Sequence, residues 1–93
     1  MSMFQSAGNQ ITVACDVWTG RPRAVRMGAE EQPVLAIERI RDESSAYRAQ
    51  RGPRTIFVVR TADARMQLSF EHRPRRWVLD GMEARTGRLL RAA

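Results

Sequence analysis

The chain has no lysine, one cysteine, one histidine and six aromatic residues among its 93. Each shortage excludes something. A single cysteine cannot close a disulfide within the chain, and with one histidine it cannot complete a structural zinc site. No apolar run approaches the roughly 18 residues that mark a membrane helix, and 28% of the residues are charged. Glycine-rich phosphate loops, paired-carboxylate motifs and nucleophile elbows are all missing. Residues 1–10 lack the basic start and apolar centre of a leader, which predicts a cytoplasmic protein with a flexible N-terminus. Together these absences predict a non-enzymatic protein that uses no cofactor and no metal. Alanine supplies 12 of the hydrophobic residues, leaving 27 larger apolar side chains besides the cysteine. A chain this short buries roughly 60–65% of its unfolded surface. One small core, and so one domain, is the limit.

What the chain does have is arginine. Sixteen arginines against ten acids give a formal charge of +6 and a pI near 11.4. The planar guanidinium donates to two oxygens at once and suits phosphate. A small, strongly basic protein is attracted to nucleic acid or to an acidic partner. The total absence of lysine has a second explanation, since G+C-rich coding sequence favours arginine codons throughout a proteome. The net charge and its placement therefore carry more than the choice of arginine. Residues 1–20 sum to −1, residues 21–53 to +2, and residues 54–93 to +5.

Hydrophobic periodicity predicts strands. Ile11, Val13, Cys15 and Val17 alternate with Thr12, Ala14, Asp16 and Trp18, the pattern of a half-buried strand. Thr19-Gly20-Arg21-Pro22 signals a turn, and Ala24–Met27 resumes the pattern as the second arm of a hairpin. Residues 28–32 break it. Val34–Arg41 reads as a strand or as a helix opened by Pro33, and the β signals on both sides favour the strand. Asp42–Pro53 is then a 12-residue connection, long enough to be partly helical or functional. Thr55–Thr61 is apolar on both faces, as expected of a central strand. Arg65–His72 alternates with Met66, Leu68 and Phe70 inward, and Trp77–Leu79 forms the last strand. Residues 82–93 read as a tail or a short helix. The fold class is mainly β: a five- or six-stranded antiparallel meander forming a strongly bent sheet or small barrel over residues 11–81.

Cys15 falls on the apolar face of the first strand and reads as packing. His72, at a strand end, has no matched carboxylate motif and reads as a surface residue. Asp16, Asp42, Asp63 and Asp80 sit where turns and strand ends are expected. The candidate binding residues are Arg21 and Arg23 after the first strand, and Arg73, Arg75 and Arg76 on the turn before the last. In a meander these two turns can share one end of the sheet and track phosphates, with Trp18 or Tyr47 as a stacking platform for a base. Against this, Trp18 and Trp77 could both be core plugs and the arginines solvated turns.

Several stretches resemble a family of small uncharacterised β domains of high-G+C bacteria. They are the opening strand with its Gly-Arg-Pro turn (Ile11–Pro22), Pro33-Val34-Leu35-Ala36-Ile37, Met66–Phe70 and Arg76-Trp77-Val78-Leu79. Members are often encoded near an error-prone, Y-family-type DNA polymerase. The resemblance covers about two-thirds of the chain and implies a small β domain associated with DNA-damage tolerance. No catalytic residues carry over with it. The expectation is a protein that binds nucleic acid, DNA rather than RNA, electrostatically, in a repair or replication assembly. The alternative is a protein-interaction module or homodimer with an exposed strand edge, or one that docks an acidic protein. No membrane association is expected.

Overall fold

The computed structural model describes residues 5–46 and 49–84, with the backbone alone for residues 5–10. The described residues form seven antiparallel strands: β1 (Gln5–Cys15), β2 (Pro22–Met27), β3 (Glu30–Pro33), β4 (Ala36–Glu43), β5 (Arg54–Arg60), β6 (Ala64–Glu71) and β7 (Arg76–Ala84). They build one sheet in the order β3-β2-β1-β7-β6-β5-β4, and no helix occurs among the described residues. The mainly β, strongly bent antiparallel sheet is therefore as expected, with one strand more. Its order departs from a simple meander where β1 pairs with β7 and β3 and β4 stand apart.

The extra strand explains how the sheet curls. β3 and β4 are the two edges of the sheet, yet only Val34 and Leu35 separate them in the chain. Val34 N–H donates to the Arg23 carbonyl on the β2 side (2.7 Å), and Leu35 N–H donates to the Arg60 carbonyl on the β5 side (2.7 Å). The sheet thus bends until consecutive residues of one segment pair with opposite halves of it, a strongly curled half-barrel. Register shifts interrupt four of the six strand pairings, at Ala14/Cys15, Ser6/Asn9, Ile37/Arg39 and Gln67/Leu68. Such bulges add local twist and bend a sheet. The Thr61 hydroxyl, fully buried, donates to the Gln32 amide oxygen at 2.7 Å and ties β3 to the β5–β6 turn.

The concave face holds the core: Val25, Phe57, Val59, Ala64, Met66, Leu68 and Leu79, with Ile11, Val13, Met27, Ile37, Trp77 and Met82 packed against it. The β6 alternation is as expected at Met66 and Leu68, both fully buried. Phe70 is only half-buried, near the mouth of the half-barrel, where its ring meets Trp77 at 5.2 Å and His72 edge-on at 5.3 Å.

Four expectations need correction. β1 begins at Gln5 rather than Ile11, because residues 5–10 pair with β7. β3 was unexpected because Glu30-Glu31-Gln32-Pro33 is an exposed edge that needs no apolar face. Residues 82–84 close β7 as strand, not helix; residues 85–93, and with them the rest of the expected tail or helix, lie outside the described residues. Asp80 is not at a strand end: it lies inside β7 as the extra residue of a bulge, since Gln67 pairs with Gly81 while Leu68 pairs with Leu79.

Candidate functional site

Strand direction decides which loops meet. β1, β4 and β6 are mutually aligned, because each is separated from the next by one antiparallel strand in the sheet order. The β1–β2 turn, the 44–53 connection and the β6–β7 turn therefore all lie at one end of the half-barrel. This end carries Arg21, Arg23, Arg73, Arg75 and Arg76, so the two arginine turns expected to share an end do so.

The β1–β2 turn is well built. The Asp16 carboxylate accepts the backbone N–H groups of Trp18 (2.8 Å) and Thr19 (2.9 Å), and Gly20 N–H bonds the Asp16 carbonyl. These backbone bonds, chiefly Thr19 and then Trp18, hold the Asp16 carboxyl below its ordinary range. Gly20 takes φ +74°, a conformation L side chains rarely adopt. On this scaffold Val17 and Trp18 stand out at 85% and 91% exposed. The expectation that Trp18 plugs the core is wrong: the turn lifts it clear of the sheet. Trp77, by contrast, is half-buried and packs on Phe57 at 5.4 Å. Tyr47, the other stacking candidate, lies outside the described residues.

The β6–β7 turn spans residues 72–75. Arg73 and Arg75 are exposed, and Arg75 adopts φ +56°. Arg76 does something else. Its Nε donates to the Glu71 carboxylate at 2.7 Å across the base of the hairpin. His72 is half-buried rather than on the surface, with Nε2 at 2.8 Å from the Thr55 hydroxyl. Cys15 is half-buried as expected, and burial raises its thiol pKa, which keeps it in the inert form.

Sequence reasoning missed a second feature, on the convex face. The residues of β6 expected to face outward, Ser69 and Glu71, are buried (0% and 6% exposed). Residues 49–52 lie beside Glu71. Arg51, from the 44–53 connection, bonds the Glu71 carboxylate and the Asp80 carboxylate, each at 3.2 Å. Arg54 bonds the Glu43 carboxylate at 3.2 Å and the Ser69 hydroxyl at 3.3 Å, and Ser69 bonds Asp80. Burial alone would push the Glu71 carboxyl up, but the hydrogen bonds and charges of Arg76 and Arg51 outweigh it and hold the pKa below its ordinary value. One signal was present in the sequence: β5 is apolar on both faces, and Ile56 and Val58 on its second face are indeed buried.

A depressed carboxylate contributes stability above its unfolded pKa that is lost as pH falls through the folded value. Glu71→Gln should therefore lower stability at pH 7 by about 1–3 kcal/mol. It should also flatten the decline in stability below pH 4.5, the ordinary value for this group. Urea melts across pH check both; identical acid profiles in parent and variant would show that Glu71 is not held by its arginines.

Further ion pairs join Arg26 to Glu31, Arg41 to Glu43, and Arg60 and Arg65 to Glu38. Among the described residues no group of three or more His, Cys, Asp or Glu is arranged to hold a metal ion. No protein-family model matches this sequence, and no curated protein or solved structure is detectably similar to it.

Proposed function

We propose that the loop end of the half-barrel binds nucleic acid, single-stranded DNA foremost. Arg21, Arg23, Arg73 and Arg75 contact phosphates and Trp18 stacks on a base. The observation that carries this reading is one arrangement: two arginine turns at the same end of the sheet, one of which holds a tryptophan 91% exposed on a capped, glycine-closed turn. Arginine contacts position a strand without specifying sequence, and base–aromatic stacking tolerates any base. Arg76 stands apart from this strand path, because its Nε is held by Glu71 at the base of the hairpin and its side chain lines the cleft beside the turn. The resemblance to domains encoded beside error-prone polymerases extends the proposal to a repair or replication assembly.

Arg75 adds a second line of support. A non-glycine residue at φ +56° carries backbone strain of about 1 kcal/mol. Glycine would relieve it, so a cationic side chain stands where the backbone prefers none. Arg75→Gly should stabilise the fold by about 0.5–1 kcal/mol while weakening DNA binding. Paired urea melts and binding titrations test this; a variant that gains stability and keeps full affinity removes Arg75 from the surface.

Trp18→Ala should leave stability unchanged and weaken single-strand binding by about 1–3 kcal/mol. Binding of double-stranded DNA should change little. Fluorescence titration of both strand types reads the difference, and equal losses on both would argue against stacking.

The alternative is a homodimer or interaction module joined through an exposed edge. β4 is such an edge, with Ile40 42% exposed. It also carries Glu38, Arg39, Arg41 and Asp42, and charge along an edge strand discourages pairing. The nucleic-acid reading is favoured for that reason. Sedimentation at high concentration separates the two, since a stable dimer that excludes DNA would reverse the ranking.

A further inference from the structure

Beside the β6–β7 turn, on the convex face, lies a cleft of about 650 Å³. Its floor is Val78, Glu71 and Asp80; its walls are residues 49–52 on one side and Arg73, Pro74 and Arg76 on the other. We propose that this cleft binds a phosphomonoester: the terminal phosphate of a nucleotide or of a nucleic-acid strand.

The layering of charge is what points there. The carboxylates lie deepest, Glu71 at 8% and Asp80 at 13% side-chain exposure. The guanidiniums lie above them, Arg51 at 36% and Arg76 at 49%. An entering ligand therefore meets arginine, not acid. The buried carboxylates serve to fix the two forks: Arg51 spends Nε on Glu71 and Nη2 on Asp80, and Arg76 spends Nε on Glu71. The terminal amino groups of Arg76 and Nη1 of Arg51 take no part in these bonds. Guanidiniums held in place by their own ion pairs lose little freedom when they engage an anion, so the site is preorganised. The donors open to an added anion are those that Arg51 and Arg76 do not spend on the two shielded acids. A phosphomonoester brings close to two charges and three acceptor oxygens at pH 7, more than a carboxylate can offer these two guanidiniums. The volume lies within the range of about 300–1,000 Å³ typical of small-ligand sites. Val78 and Pro74 give the sugar or base an apolar surface.

Arg73 is shared with the strand path over the turns, but Arg51 belongs to the cleft alone, so a test through Arg51 separates the two proposals. The test uses the whole chain and two readouts. In the first, short labelled oligothymidylates ending in a 5′-phosphate, a 3′-phosphate or hydroxyls are titrated at low salt. A phosphorylated end should bind about tenfold tighter than the hydroxyl-ended strand. In the second, AMP should raise the melting temperature where adenosine does not. A preference confined to the oligonucleotides identifies a strand end as the source, and a shift with AMP identifies a free nucleotide. In Arg51→Gln both the preference and the shift should vanish. Equal affinity for all ends with no AMP shift overturns the proposal, as does a preference that survives Arg51→Gln. The comparison on the parent chain stands even if Arg51→Gln fails to fold. Should hydroxyl-ended strands not bind at all, the strand-binding proposal fails while the AMP readout still decides this one.

Discussion

Reversing Arg21, Arg23, Arg73 and Arg75 to glutamate together should reduce affinity for single-stranded DNA at low salt by about 10³-fold or more. Each contact with a phosphate releases condensed counterions, which makes log affinity fall with log salt at a slope of roughly −0.7 per phosphate on single strands. Four lost contacts should therefore cut the slope by about 3 before any repulsion is counted. The four substitutions also take the chain from a formal +6 to −2. A control is needed to separate the surface from the bulk charge. Reversal of Arg26, near the far end of β2, and Arg39, within β4, changes the charge as much as reversal of Arg73 and Arg75. The control should lose only the modest long-range attraction that salt screens. If the two double variants weaken binding equally, the chain binds DNA through its total charge and the loop end has no special role. Because all four turn arginines are exposed, the folded state should tolerate the changes, and circular dichroism before and after verifies it.

The parts of this molecule that were legible in its sequence are those where one residue's environment follows from its near neighbours. β6 alternates because one face of it meets the core, and Met66 and Leu68 were visible for that reason. β5 read as central because Ile56 and Val58 oppose Phe57 and Val59. The turns at Gly20 and Pro74 announced themselves, so the arginines on them could be assigned to a common end once a meander was assumed. What escaped was non-local. Whether Ser69 and Glu71 face solvent depends on where Arg51 and Arg54 come to rest, which alternation along β6 does not encode. Asp80 looked like a strand-end aspartate because a bulge inside β7 leaves no mark in hydrophobic spacing. Arg51 was one arginine in a polar connection until the fold carried it to two carboxylates on different strands. Trp18 was open in the sequence to a surface or a core position, and the Asx-capped turn, which spacing alone does not weigh, puts it on the surface. The edge β3, all polar, contributes backbone pairing alone, and backbone pairing has no side-chain signature.

Leu68→Ala should cost about 2–5 kcal/mol of stability, the largest folding effect of any single truncation proposed for this chain. Leu68 has no exposed surface, sits mid-strand in β6, and pairs across to Phe57 on one side and Leu79 on the other, both members of the core cluster. Removing its branched end deletes buried apolar area and leaves a cavity that a curled sheet, pinned by hydrogen bonds on both flanks, cannot collapse around. For a domain of this size each kcal/mol moves the melting temperature by roughly 4–8 °C. The expected drop is therefore about 8 °C at least. Small domains sit near the low end of the usual 5–15 kcal/mol of stability, so a measurable fraction would be unfolded at physiological temperature. Val17→Ala provides the contrast: at 85% exposure it should shift stability by no more than about 0.5 kcal/mol. The same pair separates folding from binding, because Leu68 faces away from Ser69 and Glu71 and touches neither basic turn. Below its own melting temperature Leu68→Ala should bind DNA as the parent does. A near-neutral Leu68→Ala would mean that the concave face is not the core. The burial of Ser69 and Glu71 on the opposite face would then lose the rigid strand on which the cleft is built.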